Sequence, residues 1–181
     1  MGRIVVEGVP YHIDNFDRYI GRVIGVSDWL TVDQKRIDEF GHATNDMNRI
    51  HVDPEFARTN SPFGGIVAHG FLTLALLTHL SQTAELMPEG VDYGINVGFE
   101  RVRFLAPVPV DSAIRLKATA LACELRQPGR WSFKCRCNID VRDSGRVALS
   151  AIWSVLFINT ALSGLKSAHM AEGGGGAGRF R

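Results

Sequence analysis

The sequence predicts an α+β domain in which an antiparallel β-sheet is wrapped around one long central helix. Apolar residues occupy almost every face of a helical stretch near residues 66–86. After residue 93, successive segments alternate apolar and polar side chains with the period of two that is typical of half-buried strands. A helix-loop segment precedes the long helix. The sheet face that does not pack on the helix still needs cover, which a second subunit could supply.

The first helix is predicted over residues 32–44. Thr31-Val32-Asp33-Gln34 is a capping-box pattern, which is typical of a helix N-terminus. Ile37, Phe40 and Thr44 follow at helical spacing.

Two further helices are predicted before the strands. Asp53-Pro54 indicates the start of a short helix, because aspartate is favoured at the N-cap and proline at the first helical position. The long helix is predicted between Ile66 and Leu86, and we expect it to be buried on all sides. Its apolar residues are Val67, Leu72, Leu74, Ala75, Leu76, Leu77 and Leu80.

The first strand of the sheet is predicted over residues 93–105. Its alternation changes phase at Glu100–Arg101, which indicates a β-bulge. The bulge is expected to leave Arg101 and Arg103 on one face. The apolar residues are Ile95, Val97 and Phe99 in one phase, then Val102 and Phe104 in the other.

Three more strands are predicted over residues 114–122, 130–142 and 146–158. Turns at residues 127–129 and 143–145 join them in order, so they are expected to pair as antiparallel neighbours. The last of them is apolar on both faces, which indicates a central strand.

Length and composition fit one globular domain. The chain has 181 residues, of which 45% are apolar, and we predict a single domain over residues 1–160 with a flexible C-terminal tail over residues 161–181. Within that tail, Gly173–Gly176 is typical of a linker.

Charge and cysteine content exclude several classes of function. Lys and Arg total 20 against 19 for Asp and Glu, so the net charge of +1 carries no footprint of nucleic-acid or membrane-surface binding. No apolar stretch approaches the ~20 residues that cross a bilayer. The three cysteines cannot form a full disulfide framework, and no histidine pair completes a metal site beside Cys135 and Cys137. We therefore expect a soluble cytoplasmic protein.

Two polar clusters carry the functional signal. In the segment 45–51, Asp46 and His51 lie five residues apart in a stretch too interrupted for a regular helix, so both side chains could turn toward one water as an acid–base couple. The alternative is a helix cap beside an exposed loop histidine. The segment 61–70 ends where the long helix begins, and the free amides there could stabilise an oxyanion. Its alternative is a glycine-rich turn with a locally satisfied His69.

Taken together, residues 45–78 resemble the R-specific enoyl-CoA hydratase motif of the MaoC-like dehydratases, members of the hotdog superfamily. The family pattern is roughly Gly-Asp-x-Asn-Pro-hydrophobic-His, then Asp-Pro, a short helix with alanine, and a hydrophobic-Ala/Val-His-Gly segment that opens the central helix. The resemblance covers about residues 25–158, and the stretch 102–110 is similar to the nodulation-protein-N-like subgroup. The matching residues are Asp46, Asn48, Ile50, His51, Asp53, Pro54, Ala57, His69 and Gly70.

The resemblance implies a single hotdog domain that catalyses reversible syn addition of water to a trans-2-enoyl thioester and yields (3R)-hydroxyacyl-CoA. It implies Asp46 and His51 as the catalytic pair and the Gly70 amide as the donor to the thioester oxygen. The substrate-binding positions that it implies are Asn48, which shapes the loop, His69, and Thr78, which stands where the family often has an assisting serine. Neither a metal nor a redox cofactor is required.

Two residues depart from the family pattern. Asn45 replaces the glycine, a mild change because asparagine tolerates left-handed backbone geometry. Arg49 replaces the proline, and it either binds a CoA phosphate or faces solvent. The same two alternatives apply to Arg101 and Arg103.

Other functions remain open on this scaffold, because a fold does not determine chemistry. One is an acyl-CoA thioesterase, although Glu85, at the far end of the long helix, is the only acid near it. Another is a non-catalytic acyl-CoA binding protein, which would have no need of Asp46 and His51 as a couple. The substrate could also be carried by an acyl-carrier protein. A single hotdog of this length is expected to form a homodimer.

Overall fold

A computed structural model describes residues 8–142 and 144–164 of the chain. The order of elements matches an α+β architecture, with short helices in the first half and long strands in the second. The predicted tail beyond residue 164 and the turn residue at position 143 lie outside the described residues. The helices are a 3-10 helix (Ile13–Tyr19), α1 (Gln34–Thr44), α2 (Arg49–Val52), α3 (Pro54–Asn60), α4 (Gly70–Ala75), α5 (Leu77–Thr83) and α6 (Thr160–Ser163), and the strands are β1 (Val23–Val26), β2 (Leu30–Val32), β3 (Tyr93–Phe104), β4 (Ser112–Gln127), β5 (Arg130–Val141) and β6 (Val147–Ile158).

The six strands form one antiparallel sheet. Their spatial order is β1-β4-β5-β6-β3, and β2 pairs with β4 beside β1. The prediction that residues 146–158 form a central strand is confirmed, because β6 lies between β5 and β3. The strand predicted over residues 114–122 is longer at both ends than the sequence indicated.

The turn between β4 and β5 requires glycine. Gly129 has a φ of +70°, a left-handed conformation that glycine adopts without cost. A side chain there would also collide with Asn159 and Ser163, whose backbone atoms would lie within 2.5 Å of the added carbon. This turn therefore packs directly against the end of β6.

The bulge in β3 lies where the sequence predicts it. Pairing with β6 shifts register between Glu100 and Arg103, and Arg101 has a φ of +53°. Val102 packs against the core, whereas Arg101 and Arg103 on either side of it are exposed.

The core lies between the sheet and the helices α4 and α5. Alternate residues of β5 and of the first half of β4 are buried there, which is the pattern of a sheet with one face on a core, whereas β6 is buried at neighbouring positions as well. The largest fully buried aliphatic side chains of this core are Ile37, Leu77 and Leu80 from helices and Ile24, Ile114, Leu116, Ile139 and Leu149 from the sheet.

Two helix predictions need correction at their ends. The first helix begins at Gln34, not at residue 32, because the Asp33 carboxylate caps it by accepting a hydrogen bond from the Arg36 amide at 2.9 Å. Thr31 and Val32 belong to β2 instead.

The long helix begins at Gly70 and consists of α4 and α5, which meet at Leu76. The apolar residues 66–68 are extended, and the Ala68 amide donates to the Val108 carbonyl at 2.8 Å. The expectation of burial on all sides is also wrong, since Phe71 is 67% exposed and Ala75 and Thr78 are exposed as well. Within the described residues, no helix has the length and apolar character to span a membrane.

Candidate active site

The loop that carries Asp46 begins with a sharp reversal of the chain. Helix α1 ends at Thr44 and is capped by Asn45, whose φ of 59° and ψ of 22° are left-handed. Asparagine accepts this conformation more readily than most residues, so the replacement of the family's glycine keeps the local geometry.

A single helical turn places His51 in the interior. We expected no regular helix between residues 45 and 51, but α2 begins at Arg49. The Asn48 side chain caps it and accepts a hydrogen bond from the Ile50 amide at 3.2 Å. Asn48 therefore shapes the loop, as predicted, and the turn it starts buries His51.

The buried His51 imidazole offers one free nitrogen. Only 8% of the residue is exposed, and its Nδ1 lies 2.6 Å from the Val67 carbonyl oxygen. Because a carbonyl only accepts hydrogen bonds, Nδ1 carries the proton and Nε2 keeps a lone pair in the neutral ring. Burial lowers the pKa of His51 below its ordinary value of 6.5, and the neighbouring His69 acts in the same direction.

His69 packs directly against His51. Their ring centroids are 3.8 Å apart with an angle of 31° between the planes, and His69 is 2% exposed. The His69 Nε2–H donates to the Asp46 backbone carbonyl at 2.8 Å. The Asp46 carboxylate itself is exposed. A carboxylate oxygen of Asp46 and one ring nitrogen of each histidine lie within 4.8 Å of one another.

Gly70 lies next to this cluster at the start of α4. As the first helical residue it has no partner for its N–H within the helix. Its lack of a side chain leaves room for the Phe104 ring, which a Cβ atom would approach to 3.0 Å. A cleft of about 430 Å³ opens here, and its lining includes His51, Gly70, Thr73, Phe104 and Pro107.

The structure does not bring Thr78 to this cleft. Thr78 is exposed and lines a second cavity of about 590 Å³ farther along the helix. The hydroxyl in the cleft belongs to Thr73, which is 3% exposed and donates to the His69 carbonyl at 3.3 Å. Thr73 follows Gly70 by three residues, about one helical turn, and that spacing is the signal that would have selected it.

The arginines of this region differ in their contacts. Arg49 donates to the Asp53 carboxylate at 2.8 Å and covers the Phe56 ring at 4.2 Å. It is therefore engaged within its own helical segment rather than free for a phosphate. Arg101 and Arg103 of β3 are exposed.

Asp46, His51 and His69 are also the residues that could be considered as metal ligands. A tetrahedral zinc site needs nitrogen lone pairs that converge on one point. Here one nitrogen of each ring is bonded to a backbone carbonyl, which leaves one nitrogen of each imidazole for any ligand.

These features define a class of site. A neutral imidazole with a free nitrogen and a helix-terminal amide line one cleft, and a carboxylate lies within 4.8 Å of the imidazole. These are the groups that acid–base chemistry with a developing oxyanion requires. The chain belongs to the MaoC-like dehydratase family: the family model described as "MaoC like domain" matches residues 15–129.

Similar proteins agree with this assignment. Nodulation protein N from Rhizobium leguminosarum bv. viciae is 40% identical over 134 residues, which cover 74% of this chain and 83% of that protein. The 3-hydroxyacyl-thioester dehydratase Z from Mycobacterium tuberculosis (strain CDC 1551 / Oshkosh) is 40% identical over 131 residues, which cover 72% and 85%.

A solved structure shows the fold. The (R)-hydratase from A. caviae involved in PHA biosynthesis superimposes with a TM-score of 0.60 at 21% identity, over 75% of this chain and 94% of that one. The predicted α+β hotdog fold is thereby confirmed.

Proposed function

We propose that this protein is an R-specific enoyl-CoA hydratase, which also runs in reverse as a 3-hydroxyacyl-CoA dehydratase. The observation that carries the proposal is a neutral, buried His51 with a free Nε2, one ring nitrogen of which lies within 4.8 Å of an Asp46 carboxylate oxygen. Family membership and the dehydratase relative at 40% identity support the same reaction class.

In this mechanism, Asp46 and His51 hold one water between them. Their closest polar atoms lie within 4.8 Å of one another, a separation that one bridging water spans. One of the pair takes a proton as the water oxygen bonds to Cβ of the enoyl thioester, and the electrons of the double bond move toward the thioester oxygen. The pair then delivers a proton to Cα on the same face, so addition is syn and the product is (3R)-hydroxyacyl-CoA.

The Gly70 amide has a separate role. Negative charge develops on the thioester oxygen during addition, and the N–H at the start of α4 is a fixed donor that can stabilise it. Asn48 shapes the loop that carries the pair, and Thr73 borders the cleft where we expected Thr78. No metal or redox cofactor has a role in these steps.

The wild-type protein with crotonyl-CoA tests the proposal. We expect the enoyl-thioester absorbance to fall without release of free thiol, as hydration saturates the double bond and leaves the thioester intact. Release of thiol would instead identify a thioesterase, and binding without either change would identify a non-catalytic acyl-CoA binding protein.

The position of Glu85 favours the hydratase over the thioesterase. Glu85 follows the end of α5 with a φ of 50° and lines the second cavity, not the cleft with His51.

Running the assay in parallel with crotonyl-CoA and with a crotonyl-loaded acyl-carrier protein identifies the preferred carrier.

The pH dependence of hydration follows from His51. The imidazole must be neutral to accept a proton, and burial lowers its pKa below 6.5. We therefore expect the decline of kcat/KM for crotonyl-CoA at acidic pH to have its midpoint below pH 6.5. A decline that is already complete at pH 6.5 would contradict the burial of a neutral His51.

We further propose that the protein forms a homodimer through β3. This strand is at the edge of the described sheet, and its side chains include Ile95 at 46% and Val97 at 67% exposure. A long apolar edge strand is an aggregation hazard unless another strand covers it. A second copy of β3 would supply that cover.

The three cysteines are free thiols, which accords with the cytoplasm as the proposed location.

Val97→Asp is expected to shift the dimer toward monomer, because it places a charge in the proposed apolar interface. Sedimentation velocity at micromolar concentration measures the change. Leu125→Asp is the matched control, since Leu125 is 62% exposed on β4 and should leave the dimer unchanged. A monomeric wild-type protein, or equal effects of both variants, would contradict the proposed interface.

A further inference from the structure

His69 is the buried polar group that the proposed mechanism does not use. The lining of the cleft includes His51, Gly70 and Thr73, but His69 is not part of it. With 2% exposure, the His69 side chain lies behind the cleft surface. The contacts that the structure gives its imidazole are with Asp46, His51 and Phe40.

One contact of His69 reaches the loop of Asp46. Residues 46–48 form neither helix nor strand, and the His69 Nε2–H donates to the Asp46 carbonyl at 2.8 Å. Gly41 leaves space for this carbonyl, since a Cβ atom at Gly41 would lie 3.1 Å from the Asp46 oxygen. The imidazole therefore ties an exposed loop to the start of α4.

A second contact reaches His51. The two rings stack at 3.8 Å, and Phe40 packs on His69 with its ring centroid at 5.2 Å. His51 is thus held by the Val67 carbonyl at Nδ1 and by the His69 ring at one face. Together these contacts fix the direction of its free Nε2.

We propose that His69 is a positioning residue that sets the separation and orientation of Asp46 and His51 without touching the substrate. This inference rests on the proposed hydratase function for its kinetic consequences. The contacts by which His69 joins the loop of Asp46 to His51 do not depend on that function.

The experiment compares His69→Leu, which removes the N–H, with His69→Gln, whose amide places a donor near the same position. We expect His69→Leu to lower kcat for crotonyl-CoA by roughly 10–100-fold with little change in KM, because small misplacements of catalytic groups are costly. His69→Gln should recover most of that loss. His42→Gln is the control. It replaces a histidine by glutamine outside the site, because His42 is exposed on α1.

The pH profile separates positioning from a merely structural role. The titratable neighbours that act on His51 are His69, which lowers its pKa, and Asp46, which raises it. Both His69 variants lose the neighbour that lowers the pKa of His51 and keep Asp46, which raises it. The decline of kcat/KM at acidic pH should therefore move to higher pH in each variant. A structural defect would reduce activity evenly at all pH values.

A measurement without substrate keeps the test independent of the proposed reaction. Amide hydrogen exchange in residues 45–48 should accelerate in His69→Leu and return toward wild type in His69→Gln. Gly41→Ala, which crowds the Asp46 carbonyl from the other side, should accelerate the same amides if His69→Leu fails to fold. Unchanged exchange, or a rise in KM with unchanged kcat, would overturn the inference. A wild-type protein inactive on enoyl thioesters would refute only the proposed function.

Discussion

Asp46→Asn and His51→Ala are each expected to lower kcat for crotonyl-CoA hydration by about 10²–10⁴-fold, the range typical for loss of a positioned acid or base. Asparagine keeps the shape of Asp46 but cannot accept a proton. Alanine at position 51 removes the only free imidazole nitrogen that borders the cleft in the described chain. Stopped-flow or steady-state loss of the enoyl absorbance measures both effects.

The two variants differ in their expected effect on stability. Asp46 is exposed, so its replacement should leave the free energy of unfolding nearly unchanged. His51→Ala leaves the Val67 carbonyl without its donor, a loss of about 1–3 kcal/mol for a buried polar group. Asp46→Asn is therefore the cleaner test of chemistry, and chemical denaturation should be measured beside the kinetics for His51→Ala.

Controls and coupling complete this test. Asp17→Asn and His42→Ala make the same changes at exposed positions and should retain wild-type turnover. If Asp46 and His51 act on one water, the double variant should be little slower than either single variant, as with other groups that act as a unit. Turnover near the wild-type value in either single variant would refute the assignment of the pair.

The sheet could be predicted from the sequence because strands of twelve or more residues repeat the period of two many times. The bulge in β3 was visible for the same reason, since Val102 and Phe104 fall out of phase with Phe99. The elements β1 and β2 have four and three residues, too few for any period to emerge.

The start of the long helix could not be located from apolar character alone. Residues 66–68 are as buried as the helix that follows, yet they run extended because Ala68 pairs with Val108 from a distant segment. A short buried extended run and a buried helical turn have the same composition, so only the partner distinguishes them. Apolar character also fails to predict burial within the helix, because Phe71 is 67% exposed.

The candidate site was predictable as a set of residues but not as a geometry. The motif placed Asp46, His51 and Gly70 in one region; in the structure Asp46 lies within 4.8 Å of His51, and His51 and Gly70 line the same cleft. That Nδ1 rather than Nε2 of His51 is bonded depends on the approach of the Val67 carbonyl, sixteen residues away. The stacking of His69 on His51 likewise arises only when two separate segments meet, which no local spacing encodes.

Gly70→Pro is expected to lower kcat by about 10²–10³-fold relative to Gly70→Ala, the typical cost of removing one oxyanion donor. Proline lacks the N–H that we assign to the thioester oxygen. It also fits this position, because the first residue of a helix is where proline is best tolerated. The preceding His69 has a φ of −58° and a ψ of 136°, the extended conformation that a residue before proline adopts.

Gly70→Ala makes this comparison specific. Both variants add a Cβ atom that would meet the Phe104 ring at 3.0 Å, and Phe104 is 48% exposed, so its ring has room to move. Alanine therefore shares the added Cβ with proline and keeps the amide, while proline adds Cγ and Cδ as well. Single-turnover hydration with saturating crotonyl-CoA isolates the chemical step from binding. Equal rates for the two variants would show that the Gly70 amide does not stabilise the developing charge, and the oxyanion donor would then have to be sought elsewhere on the cleft wall.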